Sequence, residues 1–188
     1  MLLRGNAERI GSPALCISAY DSLGVANLLA RSWSEAVEAF ENALSMARET
    51  GTFLQAEALV LSNLAEAYRG KGEFDRAVTA ADEAVAIAHA RRTVMHECRA
   101  NLLLGRVLVS RHQGEDLDRA AISLAQAHQI ATRTEAKSYE AYVQWQLAAL
   151  ARARGDAALW REQMLTAARL FEEIGAPERA GQVSAAAL

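Results

Sequence analysis

The sequence predicts an all-α protein, an α-solenoid of about four antiparallel helix hairpins closed by a short C-terminal helix. Three observations carry this reading. A pattern returns four times, as Tyr20-x2-Leu23-Gly24, Leu61-x2-Leu64-Ala65, Asn101-x2-Leu104-Gly105 and Gln144-x2-Leu147-Ala148, with leucines spaced by 41, 40 and 43 residues. A fixed period in this range marks stacked supersecondary units. An alanine-rich second half follows each leucine, with Ala43, Ala84 and Ala167 each 20 residues downstream and Ala127 at 23. Short breaker-rich turns separate the halves, so each unit is two helices.

The elements follow in order. Residues 1–11 read as an N-terminal tail, and Ser12-Pro13 opens the first helix. Hairpins are expected over about 12–51, 52–92, 93–134 and 135–176, with a terminal helix over 177–188. Their internal turns are Arg31-Ser32, Gly70-Lys71-Gly72, His112 to Asp116, and Gly155-Asp156. Ser32-x2-Glu35 reads as a capping box, in which two side chains satisfy orphan backbone donors at a helix start. Gly24, Ala65, Gly105 and Ala148 directly follow the repeat leucines, and Ala36, Ala77 and Ala120 answer from the second helices. Small residues there let the paired backbones approach closely. The four leucines are expected to be buried between paired helices. Trp33 and Trp160 read as packing residues, and Ala180, Val183 and Ala187 give the last segment an apolar face that covers the open end of the array.

These residues resemble the tetratricopeptide repeats, whose succession of aromatic, Leu-Gly, Tyr, then Ala and Phe is echoed in register. The second unit matches best, from Asn63-Leu64-Ala65-Glu66-Ala67-Tyr68 through Gly72-Glu73-Phe74-Asp75-Arg76-Ala77, and the resemblance spans about residues 13–174. It implies a right-handed superhelix that binds proteins. One departure is informative: where an ordinary repeat ends its second helix with proline, this chain has Arg48, His89, Thr132 and Glu172. Without proline nothing stops the helix, so the second helices are expected to run on to Gly51, Arg92, Thr134 and Gly175. Such long repeats are similar to those in the C-terminal regions of bacterial LuxR-type and cyclase-linked regulators, and also to those of Rap-type proteins and kinesin light chains.

Composition excludes several function classes. The 188 residues carry a net charge of −3 and 52% hydrophobic content, which suits one closely packed helical core. Direct nucleic-acid binding needs clustered Lys and Arg, whereas Arg91-Arg92 and Arg152-x-Arg154 stand among acidic neighbours. No apolar run approaches a membrane span; Leu102 to Val109 is broken by Arg106. Cys16 and Cys98 lie on first helices of non-adjacent units, which argues against a disulfide and for a reducing, cytoplasmic setting.

No catalytic, metal or cofactor chemistry is expected. His96-Glu97-Cys98 is followed by Ala100 where a zinc-protease helix needs its second histidine. His89 and His96 share a face without a third ligand. Glu115-Asp116-x-Asp118 lacks the alternation and central glycine of a calcium loop and reads as charge favouring a helix start.

Binding remains. By the resemblance, first helices line a groove, and its inward positions include Asp21, Ser62, Glu66, Arg69, Arg99, Arg106, Tyr142, Trp145 and Arg152. Asn63 matches one residue of the family's carboxylate clamp, whose lysines are missing here. Arg and aromatic residues are favoured interface anchors, so an acidic or amphipathic peptide, or another domain of the same parent chain, is the expected guest. Homo-oligomerisation is an open alternative. A competing reading packs Trp145 between helices and pairs the arginines with Glu66, Glu97 or Glu140. The expected role is a noncatalytic interaction module of a larger bacterial regulator, or else a sensor for a signal peptide or small effector.

Overall fold

The computed structural model describes residues 12–187, and every regular element among them is helical. The helices are α1 (Pro13–Leu29), α2 (Trp33–Thr50), α3 (Glu57–Lys71), α4 (Phe74–Ala90), α5 (Val94–Arg111), α6 (Asp116–Arg133), α7 (Lys137–Ala153), α8 (Ala157–Glu173) and α9 (Pro177–Ala187), with a 3-10 turn at Leu54–Ala56 before α3. The chain is an all-α helical-repeat solenoid. The expectation for residues 1–11, and the last residue of the terminal helix, lie outside the described residues. The chain divides into two compact units that part at His96–Glu97, within the start of α5.

Six chain reversals close in one way, and Gly51, with Thr52 N to Ala47 O at 3.2 Å, closes a seventh. A residue with positive φ ends the helix, and the following amide reaches back five positions: Ser32 N to Asn27 O, Glu73 N to Tyr68 O, Thr93 N to Ala88 O, Ala136 N to Ala131 O, Asp156 N to Ala151 O and Ala176 N to Phe171 O, at 2.8–3.0 Å. This is the Schellman closure, which satisfies orphan carbonyls at a helix end. Glycine supplies the left-handed residue at Gly72, Gly155 and Gly175, but Arg31, Arg92 and Glu135 supply the others, with φ of 58, 55 and 55°. Because the Ser32 amide closes α1, the serine does not serve as the expected capping box: its side chain makes no cap bond. Asp156 does cap, accepting from Leu159 N at 2.9 Å.

In the first unit α1 packs on α2, α2 on α3 and α3 on α4. Gly24 and Ala65 are buried at these contacts, as expected. Leu64 is buried, but Leu23 is 38% exposed, which corrects the expectation for that position. Leu64 lies in the slot between α2 and α4, whereas the slot around Leu23 has only α2 for a wall among the described residues. Gly70 belongs to the last turn of α3 rather than to the loop, and the Trp33 ring occupies the space where its Cβ would stand.

In the second unit Gly105 of α5 meets Leu124 of α6, and the buried Cys98 thiol donates to Ala127 O at 3.4 Å. Burial pushes that thiol up to about 11. Leu104 is buried and Leu147 only half-buried. The core continues through Ala148, Met164, Ala167, Phe171, Ala180 and Val183, so α9 packs on the last hairpin. The loop before α6 hides an ion pair that the sequence reading took for simple helix-start charge. Asp116, 3% exposed, receives Arg111 Nε and Nη2 at 2.8 and 2.6 Å, and Gln113 N at 2.9 Å.

Candidate binding groove

The structure separates the residues that the sequence grouped as one inward surface. On α3, Ser62 and Asn63 are 1% and 4% exposed, and Ser62 Oγ donates to Ala58 O at 2.8 Å. Both are buried and neither lines any of the grooves described here, so both expectations are corrected. Their helix is flanked by α2 and α4 as well as α1, and a face so enclosed keeps no open side. Arg69 binds Glu66 with two bonds, 2.9 and 2.8 Å, through its own fork. A fork-on-carboxylate pair of this kind neutralises itself. Asp21 is half-buried on α1.

In the second unit Tyr142 and Trp145 do share a face of α7. They stack at 6.4 Å and each meets the Phe171 ring edge-on. That face is partly covered. Arg179 of α9 lies 5.7 and 5.6 Å from the Tyr142 and Trp145 ring centres, within the range of cation–π attraction. The terminal helix thus takes part of the place expected for an outside guest: Trp145 is half-buried against the last hairpin, and Tyr142 stays 37% exposed. Arg152 stands 5.7 Å over the Trp160 ring, while Arg99 and Arg106 are half-buried on α5.

An open groove lies elsewhere, in the first unit, between the second helices α2 and α4. It holds about 610 Å³, and its floor is Leu44, Leu61, Leu64, Tyr68 and Ala80. Two ion pairs span it, Glu41 to Arg76 at 2.8 Å and Arg48 to Glu83 at 2.6 Å. Each joins residues 35 apart in the chain, so α2 and α4 run side by side in the same direction. Along α2 the order is Glu then Arg, and along α4 it is Arg then Glu. Seven residues separate the two pairs on each helix, about 10 Å along the axis. Glu41, Leu44 and Arg48 fall at helical spacing on one face, as do Arg76, Thr79, Ala80 and Glu83 on the other wall. That complementary order at a constant offset is the signal of this groove in the sequence, and it lies on the second helices rather than at first-helix positions.

Each strap is anchored behind the groove. The Tyr68 hydroxyl donates to Glu41 and accepts from Arg76 Nη2 at 2.6 Å, and the Arg76 guanidinium sits 4.2 Å over the Tyr68 ring. Burial, then the Glu41 acceptor, pushes the Tyr68 phenol above its usual range. At the other end Arg48 Nε holds Glu57 at 2.7 Å, and Arg91 holds the second Glu57 oxygen at 2.7 Å. Burial raises the Glu57 carboxyl, but these two bonds with their charges outweigh it and hold the group below the usual carboxylate range.

The second unit has a groove in the same register, of about 550 Å³, lined by Ala125, His128, Gln129, Thr132, Arg133 and Leu147. Leu147 corresponds to Leu64, and His128 follows the repeat alanine as Leu44 does. One lining residue, His128, has its Nε2 3.2 Å from Gln144 Nε2. No carboxylate lines it.

Among the described residues no three His, Cys, Asp or Glu gather as a metal site, and no helix is long and apolar enough to cross a membrane.

Comparison with known proteins bears on this architecture. Residues 15–90 match the family model of the tetratricopeptide repeat. The chain is similar in structure to BtubC (BKLC) from P. vanneervenii, with a TM-score of 0.69 and 14% identity over 98% of this chain and 84% of that one. It is also similar to the Rap conjugation gene regulator of the plasmid pLS20, solved in complex with the Phr* peptide, with a TM-score of 0.68 and 14% identity over 97% of this chain. The match covers 54% of that regulator, so this chain spans about half its length. The search of curated proteins gives no match. At such identities the solved structures speak to fold alone: residues 15–90 are similar to the tetratricopeptide repeat, and the chain as a whole has a helical-repeat fold.

Proposed function

We propose that the chain is a noncatalytic protein-interaction module that holds a peptide segment of a partner, or of another domain of its parent chain, within a larger cytoplasmic bacterial regulator. The observation that carries this reading is the groove between α2 and α4, open to solvent, apolar at its floor and charged at its rim. A site with an apolar anchor position and polar orienting groups is what peptide recognition on helical surfaces requires. The peptide bound to the Rap regulator supports the same class of partner. Arg99, Arg106 and Arg152 remain in this proposal as cationic contacts of the second unit, with Asp21, Glu66 and Arg69 as polar contacts of the first. The volume also falls in the range of small-ligand sites, which keeps an effector sensor as the second reading.

Selection of a random peptide display library on the purified chain tests this. The expected result is enrichment of a common motif whose synthetic peptide slows hydrogen exchange in α2–α4. Failure to enrich any motif, together with a thermal shift produced by small molecules alone, would replace the module with the effector sensor.

A further inference from the structure

We propose that the groove between α2 and α4 takes an amphipathic helical peptide carrying one large apolar side chain flanked, a turn away, by Lys or Arg. This rests on the peptide-binding reading above and assigns the chemistry of the guest, which is opposite in charge to the acidic peptide that the first-helix arginines suggest.

The floor admits an apolar group, since Leu44, Leu61, Leu64 and Ala80 present no polar side-chain atom. The two straps limit its length to about 10 Å, room for one large side chain and the helical turn that bears it. The rim sets the charge. The lining carries four carboxylates, Glu41, Glu49, Asp75 and Glu83, and two guanidinium groups, Arg48 and Arg76, a count negative by two. Both arginines are already held, Arg48 by Glu57 and Glu83 and Arg76 by Glu41 and Glu73.

The carboxylates keep capacity. All bonds received by Glu41, Glu49 and Glu83 from described residues end on Oε1, and a carboxylate has about four acceptor sites. A guest ammonium or guanidinium therefore finds acceptor capacity on three exposed side chains without displacing an arginine. Where displacement does occur it is cheap, because exposed ion pairs contribute little in water. An acidic guest meets net repulsion instead.

The groove of the second unit provides an internal contrast. At equivalent positions it has His128 for Leu44, Gln144 for Leu61 and Arg133 for Glu49, with no carboxylate on its wall. It lacks the negative rim, and it does not take the same guest.

Two fluorescently labelled alanine-based helical peptides decide the matter, each with a single central leucine, one flanked by lysines and the other by glutamates at four-residue spacing. Fluorescence anisotropy with the whole chain is expected to show the lysine peptide binding at least about tenfold tighter than the glutamate peptide, with affinity falling as salt rises. Ser45→Trp fills the groove mouth from α2 and is expected to weaken binding about tenfold or more, a hot-spot-sized loss. Thr79→Trp does the same from α4, so one misfolded variant leaves the test intact. Glu49→Lys weakens the lysine peptide only, while Ala125→Trp in the second groove changes nothing. Equal binding of the two peptides, or lysine-peptide binding that survives both tryptophan variants, overturns the groove assignment. If neither peptide binds while display selection still yields a motif protecting α2–α4, the guest chemistry is wrong and the interaction reading stands; if selection yields nothing either, both fail.

Discussion

The ring of Phe40 lies so close to Gly24 that a Cβ added there would stand 2.4 Å from Phe40 Cε1. Phe40 is fully buried and has no room to withdraw. Gly24→Ala is therefore expected to lower stability by about 1–3 kcal/mol, the range for overpacking a filled core. Urea unfolding gives the number. The double variant Gly24→Ala with Phe40→Leu should recover part of it, and an unshifted single variant would refute the packing described.

Trp145 is expected to act on stability rather than on partner affinity. Trp145→Ala removes the ring that Tyr142, Phe171 and Arg179 share, at a cost of about 2 kcal/mol, below the range for deleting a fully buried indole because Trp145 is half-buried. Peptides selected on the native chain should still bind the folded variant. Loss of their binding at unchanged stability would return Trp145 to the interaction surface.

Asp116 couples the second unit to pH. The hydrogen bonds from Arg111, working against burial, hold its carboxyl below the usual range. The folded pKa is thus below the unfolded value of about 3.9, so the stabilisation is complete above that pH and is lost as pH falls through the folded value. Arg111→Met strands a buried carboxylate and is expected to cost about 3 kcal/mol at neutral pH, the lower end for breaking a buried pair. Unfolding midpoints measured from pH 7 down to pH 3 should show the gap between native chain and variant narrowing with acid. A constant gap would mean that the pair does not titrate with folding.

Glu135 is an exposed side chain held at a φ of 55°. Replacing it with glycine removes left-handed strain of about 1–2 kcal/mol, offset in part by the greater freedom of glycine in the unfolded chain. The net expectation is a gain of about 0.5–1 kcal/mol, read as a higher denaturation midpoint. A destabilised Glu135→Gly would show that the glutamate side chain contributes a contact.

The period of the repeat, the pairing of helices and the close approach at Gly24, Ala65, Gly105 and Ala148 were all legible in the sequence. Helix hydrogen bonds reach four residues, and the small residues that permit close packing recur with the helices they serve, so each repeat carries its own instructions. The lengths of the second helices were legible for the same reason, because a missing proline acts locally. The tertiary structure alone decided which faces stay open. Leu23 and Leu64 hold the same place in their repeats, yet one is exposed and the other buried, because burial of a repeat leucine depends on a second helix from the neighbouring hairpin. Ser62 and Asn63 disappear under that same neighbour-dependent packing, and Tyr142 and Trp145 are partly covered by Arg179 from a helix outside the repeat. Arg31, Arg92 and Glu135 adopt the left-handed turn without glycine's help, since the packing of the helices on either side outweighs a local cost of about 1–2 kcal/mol. The groove between α2 and α4 belongs to both kinds of knowledge. Its charges, Glu41 and Arg48 against Arg76 and Glu83, were written in each helix separately, but only the side-by-side packing of two second helices brings them across from one another over a shared apolar floor.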